Sequence, residues 1–152
     1  MITYRFIYDL EDLVNLTPLF IEGYAAMNRK KKVFEVDQEG FIKTLIGVLN
    51  TTHENAILVA FDEETPIGYA VGFNDTPAFA TSKELLMWAL YVKPQYRGDV
   101  VVGLFQTGVE FARKKGYSAM KAFNARFTGS VFRLFENKLG MRRHRIQFIY
   151  TL

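Results

Sequence analysis

The stretch from Glu84 to Phe123 constrains the fold more than any other part of the chain. It opens with "ELLMWALYV" (Glu84–Val92), an almost unbroken apolar run of strand length. A strand that is apolar on both faces belongs inside a sheet covered on both sides. A turn at Pro94 and an Arg97-Gly98 pair follow. Then Val101, Leu104, Phe105, Gly108, Phe111 and Ala112 recur at helical spacing and form a single apolar stripe. Arg113, Lys114 and Lys115 occupy the last turn, where cations suit the helix dipole, and Gly116 is placed as a left-handed cap. "YSAMKAF" (Tyr117–Phe123) reads as another strand. Strand, helix and strand in this order predict a parallel pair joined by a right-handed crossover.

The rest of the chain fits around that unit. "ITYRFIY" (Ile2–Tyr8) alternates apolar and polar residues as a strand does. Asp9 is placed to cap a following helix, with Leu10, Leu13 and Val14, then Phe20, Ile21 and Tyr24, on one inward face. Thr17-Pro18 has the form of an N-cap and a first-turn proline, which predicts a kink or restart there. After the basic loop Arg29–Lys32, Asp37 caps a second helix with Phe41, Leu45, Val48 and Leu49 inward. Two apolar runs flank Asp62-Glu63-Glu64-Thr65, which predicts an antiparallel hairpin. "NDTPAFATSK" is a loop. Thr128 or Ser130 starts a last helix with Val131, Leu134, Phe135 and Leu139 inward, closed by Gly140. "MRRHRIQFIYTL" alternates as a final strand. The order β-α-α-β-β-β-α-β-α-β predicts an α/β fold with a mixed central sheet and helices on both faces.

Composition narrows the function classes. The 152 residues carry no repeat and no linker, so one domain over residues 1–152 is expected. The absence of cysteine excludes disulfides, cysteine-based zinc sites and a thiol nucleophile, and it suits a reducing, cytoplasmic compartment. "MITYRFIYDLEDL" carries charges where a signal peptide is apolar, and no apolar run reaches the length of a membrane span. No membrane role is expected. Net charge is only +3, and the two basic clusters, Arg29–Lys32 and Arg142–Arg145, are short. They read as a solvated loop and a strand end, not as a nucleic-acid-binding face. His53 and His144 are isolated, and no metal-ligand spacing occurs.

The chemically suggestive element is "YVKPQYRGDVVVG" (Tyr91–Gly103), a strand end, a turn, an Arg-Gly pair and a helix start. A helix start presents unpaired N–H groups and a positive dipole end, which together suit a phosphate.

With these elements in order, the chain resembles the GCN5-related N-acetyltransferase (GNAT) family. Three stretches carry the likeness: the hairpin "ILVAFDEETPIGYAVG", the loop and helix "LYVKPQYRGDVVVGLFQTGVEFARKKGY", and the last helix "VFRLFENKLGM". Small acetyltransferases encoded by bacteriophages have a similar form. The resemblance implies transfer of an acetyl group from acetyl-CoA to a primary amine of a small molecule or protein. It implies that the central strand splays from its neighbour and that its backbone at Leu90, Tyr91 and Val92 pairs with the pantetheine arm. The N–H groups of Arg97, Gly98, Asp99, Val100, Val101, Val102 and Gly103 are then expected to hold the pyrophosphate. Glu84, at a strand position where this family often has a glutamate, is the expected general base. The loops Asn28–Val36 and Asn74–Lys83 are expected to border the acceptor.

The sequence also departs from the family pattern. Glycines usual after the arginine are replaced by Val100 and Val102 or, if the loop is one residue shorter, by Val101. The last-helix tyrosine that usually protonates the coenzyme thiolate is matched by Phe135 or Glu136. A second reading therefore stands beside the enzyme: a catalytically silent binding or structural protein on the same fold, with Phe73, Phe79 and Trp88 or the basic clusters as its surface. The final strand lies at a sheet edge on either reading, which suits a homodimer through it.

Overall fold

The computed structural model describes residues 1–28, 37–122 and 133–142. A five-stranded sheet runs in the order β1 (Ile2–Ile7), β2 (Ala56–Asp62), β3 (Thr65–Asn74), β4 (Lys83–Val92) and β5 (Tyr117–Ala122). Strands β1 to β4 pair antiparallel with one another, and β4 and β5 are parallel. The crossover between β4 and β5 is α3 (Asp99–Lys114), while α1 (Leu10–Asn28) and α2 (Gln38–Leu49) lie between β1 and β2 in sequence. The expected mixed α/β sheet is therefore observed. The expected C-terminal strand, the dimer through it, and the start of the last helix lie outside the described residues.

Helices cover both faces because the inner strands are apolar on both. In β2, Ile57, Val59 and Phe61 join Leu13, Leu16, Leu19 and Phe20 of α1 and Phe41, Leu45 and Val48 of α2 in one cluster. Leu58 and Ala60 face the other way, against Val100, Val101 and Leu104 of α3. Sequence alternation thus builds two cores on one sheet.

Local signals explain the boundaries. Asp9 accepts from the Asp12 N–H at 2.8 Å, and Asp37 accepts from the Gly40 N–H, so both helices start on carboxylate caps. Glu63, in the two-residue hairpin turn, has φ 54°. Gly116 ends α3 at φ 78°, a left-handed cap as the sequence suggests.

The break expected at Pro18 does not occur, since α1 is one helix from Leu10 to Asn28. Thr17 is no N-cap, because its hydroxyl donates to the Leu13 carbonyl at 3.1 Å. Proline removes the N–H that would serve the Val14 carbonyl, but Val14 is exposed, so water is at hand for that carbonyl. Leu10 and Val14 are outward, and the inward face is Leu13, Leu16, Leu19 and Phe20. The last helix also differs from the expected α form. Over Leu134–Lys138 it is a π-type turn, with the Leu139 N–H donating to Leu134 at 3.1 Å. Leu134 packs on the α3-side cluster.

One side chain in the larger core is unusual. Tyr69 is fully buried, and its hydroxyl has no hydrogen-bond partner among the described residues. Burial first, and the neighbouring Tyr91 second, push that hydroxyl's pKa well up. It fits only because α1 has a glycine there: a Cβ on Gly23 would overlap the Tyr69 hydroxyl. An unpaired buried hydroxyl is a liability. We expect Tyr69→Phe to stabilise the fold by roughly 1–3 kcal/mol in urea denaturation. Gly23→Ala should destabilise it by about 1–3 kcal/mol through overpacking.

Candidate active site

The site is organised by a bulge in β4. Val71 pairs with Ala89 but Gly72 pairs with Met87, so Trp88 is the extra residue. The bulge re-phases the strand. Before it, Leu85 and Met87 face α3; after it, Leu90 and Val92 do so, while Trp88, Ala89 and Tyr91 join the α1/α2 side.

Pairing with β5 covers only the half of β4 below the bulge. It runs from Lys83 opposite Tyr117 to Met87 opposite Ala122. Above Met87 no described strand meets that edge of β4. The Lys93 N–H donates to Ile67 of β3 at 2.9 Å. By antiparallel alternation Tyr91 turns its backbone to Tyr69, and Leu90 and Val92 turn theirs into the gap. The Val92 carbonyl is met there by Arg97 Nε at 3.4 Å.

A 3₁₀ turn at Pro94–Tyr96 leads from the gap to α3. Tyr96 anchors it by donating to Asp62 at 3.2 Å. Gly98 is the N-cap, with φ 102° and no side-chain cap, and a Cβ there would meet none of the described residues within 4 Å. A left-handed φ beside open space is a place for glycine. The Val102 N–H donates to the Gly98 carbonyl at 3.1 Å. The N–H groups of Asp99, Val100 and Val101 precede that first helical bond and point along the axis toward the gap.

The valines now have a place. Val100 is 4% and Val101 7% exposed, and both pack with Leu58, Ala60, Ile67, Val92 and Leu104. Their side chains point into the core, away from the free N–H groups. Val102 is half-buried. Gly103 is also turned inward: a Cβ there would overlap the Tyr4 hydroxyl. Burial first, and the Asp99 charge second, push the Tyr4 hydroxyl up, so Asp99 brings negative charge to the helix start. Arg97 and Asp99 are exposed.

Glu84 sits at the foot of β4 in an ion pair with Lys121 at 2.7 Å. Lys121 also holds Asp75 at 2.8 Å, and the two carboxylates raise its pKa. The β3–β4 loop is fixed beside them. Asn74 accepts from the Thr76 hydroxyl at 2.6 Å, Thr76 Oγ1 accepts from the Glu84 N–H at 2.9 Å, and Asn55 accepts from the Asn74 N–H at 2.7 Å. Further up the same face, Trp88 stacks on Phe41 at 5.4 Å and lies 5.3 Å from Phe73. Tyr91 donates to Glu22 of α1 at 2.7 Å. Phe79, at the loop tip, is 92% exposed. Glu22, Lys121 and Tyr4 were not legible as neighbours of this site, because each comes from a distant part of the chain, whereas Asp75 lies in the loop Asn74–Lys83 expected to border the acceptor. Of the loop 28–36 only Asn28 is described. Phe135 is half-buried and, having no hydroxyl, donates no proton.

The Acetyltransferase (GNAT) family model matches residues 18–141, and the chain belongs to that family. No curated protein matches it. Solved structures with the same fold include a probable acetyltransferase, 21% identical, with TM-score 0.74 over 100% of this chain and 96% of that one. The aminoglycoside N-acetyltransferase AAC(6')-Iy, solved in complex with CoA, is 14% identical with TM-score 0.77 over 100% of this chain and 95% of its own. The ribosomal-protein-alanine N-acetyltransferase of Brucella melitensis biovar Abortus 2308 is 13% identical with TM-score 0.74 over 100% of both chains.

The inward valines make a stability prediction. Val100→Gly should cost about 2–3 kcal/mol, from lost burial and the void left behind. Val102→Gly, at a half-buried position in the first turn, should cost at most about 1 kcal/mol. Equal losses in chemical denaturation would show that Val100 is not the packed residue.

Proposed function

We propose that this protein is an N-acetyltransferase that moves an acetyl group from acetyl-CoA to a primary amine. One observation carries the reading: the edge of β4 above Met87, which no strand among the described residues meets, runs directly to the uncapped start of α3. The outward backbone of Leu90 and Val92 suits an extended pantetheine arm, which adds there as a strand would. Tyr91 contributes to the site through its neighbours, since its own backbone serves β3. The N–H groups of Asp99, Val100 and Val101, with the permissive Gly98, suit the pyrophosphate, and exposed Arg97 adds positive charge. Replacing glycine by inward valine keeps each donor. Asp99 opposes the anion.

The amine attacks the thioester carbonyl carbon. The new C–N bond forms as the C–S bond breaks, and an N–H in the gap polarises the carbonyl oxygen. The amine then loses a proton and the thiolate gains one. Glu84 and Asp75 share Lys121, while Lys83 turns to the other face over the Tyr117 ring, so among the described residues the excess negative charge belongs to the α1/α2 face at the foot of β4. That excess suits an acceptor arriving as an ammonium ion. Glu84 lies about 10 Å along the strand from Met87, so as base it takes the proton through water. Water also protonates the thiolate, in place of the tyrosine that Phe135 does not supply. The acceptor is a small molecule or protein amine reached from the α1/α2 side.

Calorimetry tests the reading. Acetyl-CoA should bind the wild-type chain, and Arg97→Glu with Gly98→Val should abolish binding while the folded-state circular dichroism stays unchanged. Asp99→Asn should tighten binding by roughly fivefold, the effect of removing ~1 kcal/mol of repulsion between charges about 4 Å apart in water. No binding at millimolar acetyl-CoA would overturn the enzyme and favour a binding protein on this fold.

A further inference from the structure

We infer that the acyl site takes a chain at least one carbon longer than acetyl, lodged in a cavity between α3 and the sheet. This rests on the coenzyme reading above. The cavity has a volume of about 30 Å³ and an apolar lining. It is large enough for a group the size of a methylene or a water, and its apolar lining among the described residues favours the hydrocarbon. Leu85, Met87 and Met120 form its β4–β5 end, Ala70 and Gly72 its floor, and Gly108 part of its roof.

Its position links it to the gap. Met87 stands in the last described pair of β4 and β5, and Leu85 pairs with Met120 just below. The cavity therefore begins on the α3 side of the apex where a thioester bound in the gap would end. On the other side of the sheet Trp88 fills the space between Phe41 and Phe73. Among the described residues, the room for an acyl chain that grows from this end of the gap lies toward α3.

The cavity is not forced by its glycines. Outside its own helix backbone and among the described residues, the nearest atom to a Cβ on Gly108 would be the Met120 sulfur at 4.0 Å. Its φ is not in the left-handed region. Alanine would fit, would favour the helix and would take up part of the void. Gly72 is similar: a Cβ there would make ordinary contacts with Leu85, the nearest at 3.4 Å. The chain thus leaves open a space that two methyl groups would close without strain. Met87 and Met120 are unbranched and adaptable, which suits a wall that shifts around a guest. The chemistry is that of acetyl transfer: the amine C–N bond forms, the thioester C–S bond breaks, and the amine proton leaves as the thiolate is protonated.

Calorimetric titration with CoA, acetyl-CoA and propionyl-CoA decides the matter without knowledge of the acceptor. Propionyl-CoA should bind about fourfold more tightly than acetyl-CoA, the value of one buried methylene. That ratio should fall toward one in Gly108→Ala and further in Gly72→Ala/Gly108→Ala. Gly108→Ala should melt no lower than wild type, so it reports even if the double variant folds poorly. Equal affinities in the wild type, or a ratio that persists in Gly108→Ala, would overturn the inference while leaving the coenzyme site standing. Failure of all three ligands to bind would remove the coenzyme reading and this inference together.

Discussion

The structure depends on the unequal pairing of the two edges of β4. One edge meets β3 from Asn74 to Gly68, and among the described residues the other meets β5 up to Met87. The bulge at Trp88 falls at the same level. One extra residue shifts the alternation, so that Leu90 and Val92 face α3 while Ala89 and Tyr91 face α1. Without that shift Val92 would not meet Val100 and Val101, and the start of α3 would lose its seat. The gap and the helix start beside it follow from one irregularity.

That seat explains why a chain can lose loop glycines and keep the form of the loop. Glycine at a ligand-facing turn allows close approach, but only where the side chain would stand in the way. Val100 and Val101 direct theirs into a packed cluster, so their amides and their methyls serve opposite sides of the same turn. Gly98 alone keeps a backbone conformation that valine would resist. The inward face is also crowded enough to dictate Gly103, where Tyr4 crosses from β1.

The polar foot of β4 contributes to charge more than to stability. Lys121 with Asp75 and Glu84 is partly exposed, and such pairs are generally worth at most about 1 kcal/mol. Its effect is to hold two carboxylates and the loop from Asn74 to Glu84 in one arrangement beside the aromatic wall of Trp88, Phe73 and Phe41.

By itself the sequence determined the elements and their layering. Period-two alternation in Ile2–Ile7, apolar runs at Ala56–Asp62 and Lys83–Val92, the stripe on α3, the caps at Asp9, Asp37 and Gly116, and the Glu63-Glu64 turn are local or short-range properties. The family likeness was legible for the same reason, since its motifs are contiguous. Pro18 misled because a helix break depends on whether the freed carbonyl has water, and that is known only once Val14 is seen to face outward. Only the tertiary structure decided which backbone groups of β4 turn away from β3, because a bulge is a relation between two strands. It alone turned Val100 and Val101 inward and brought Lys121 to Glu84, Glu22 to Tyr91 and Tyr4 to Gly103. Those contacts join residues 37 to 99 positions apart. No pattern along the chain encodes them, and the packing of the two helical layers on one twisted sheet does.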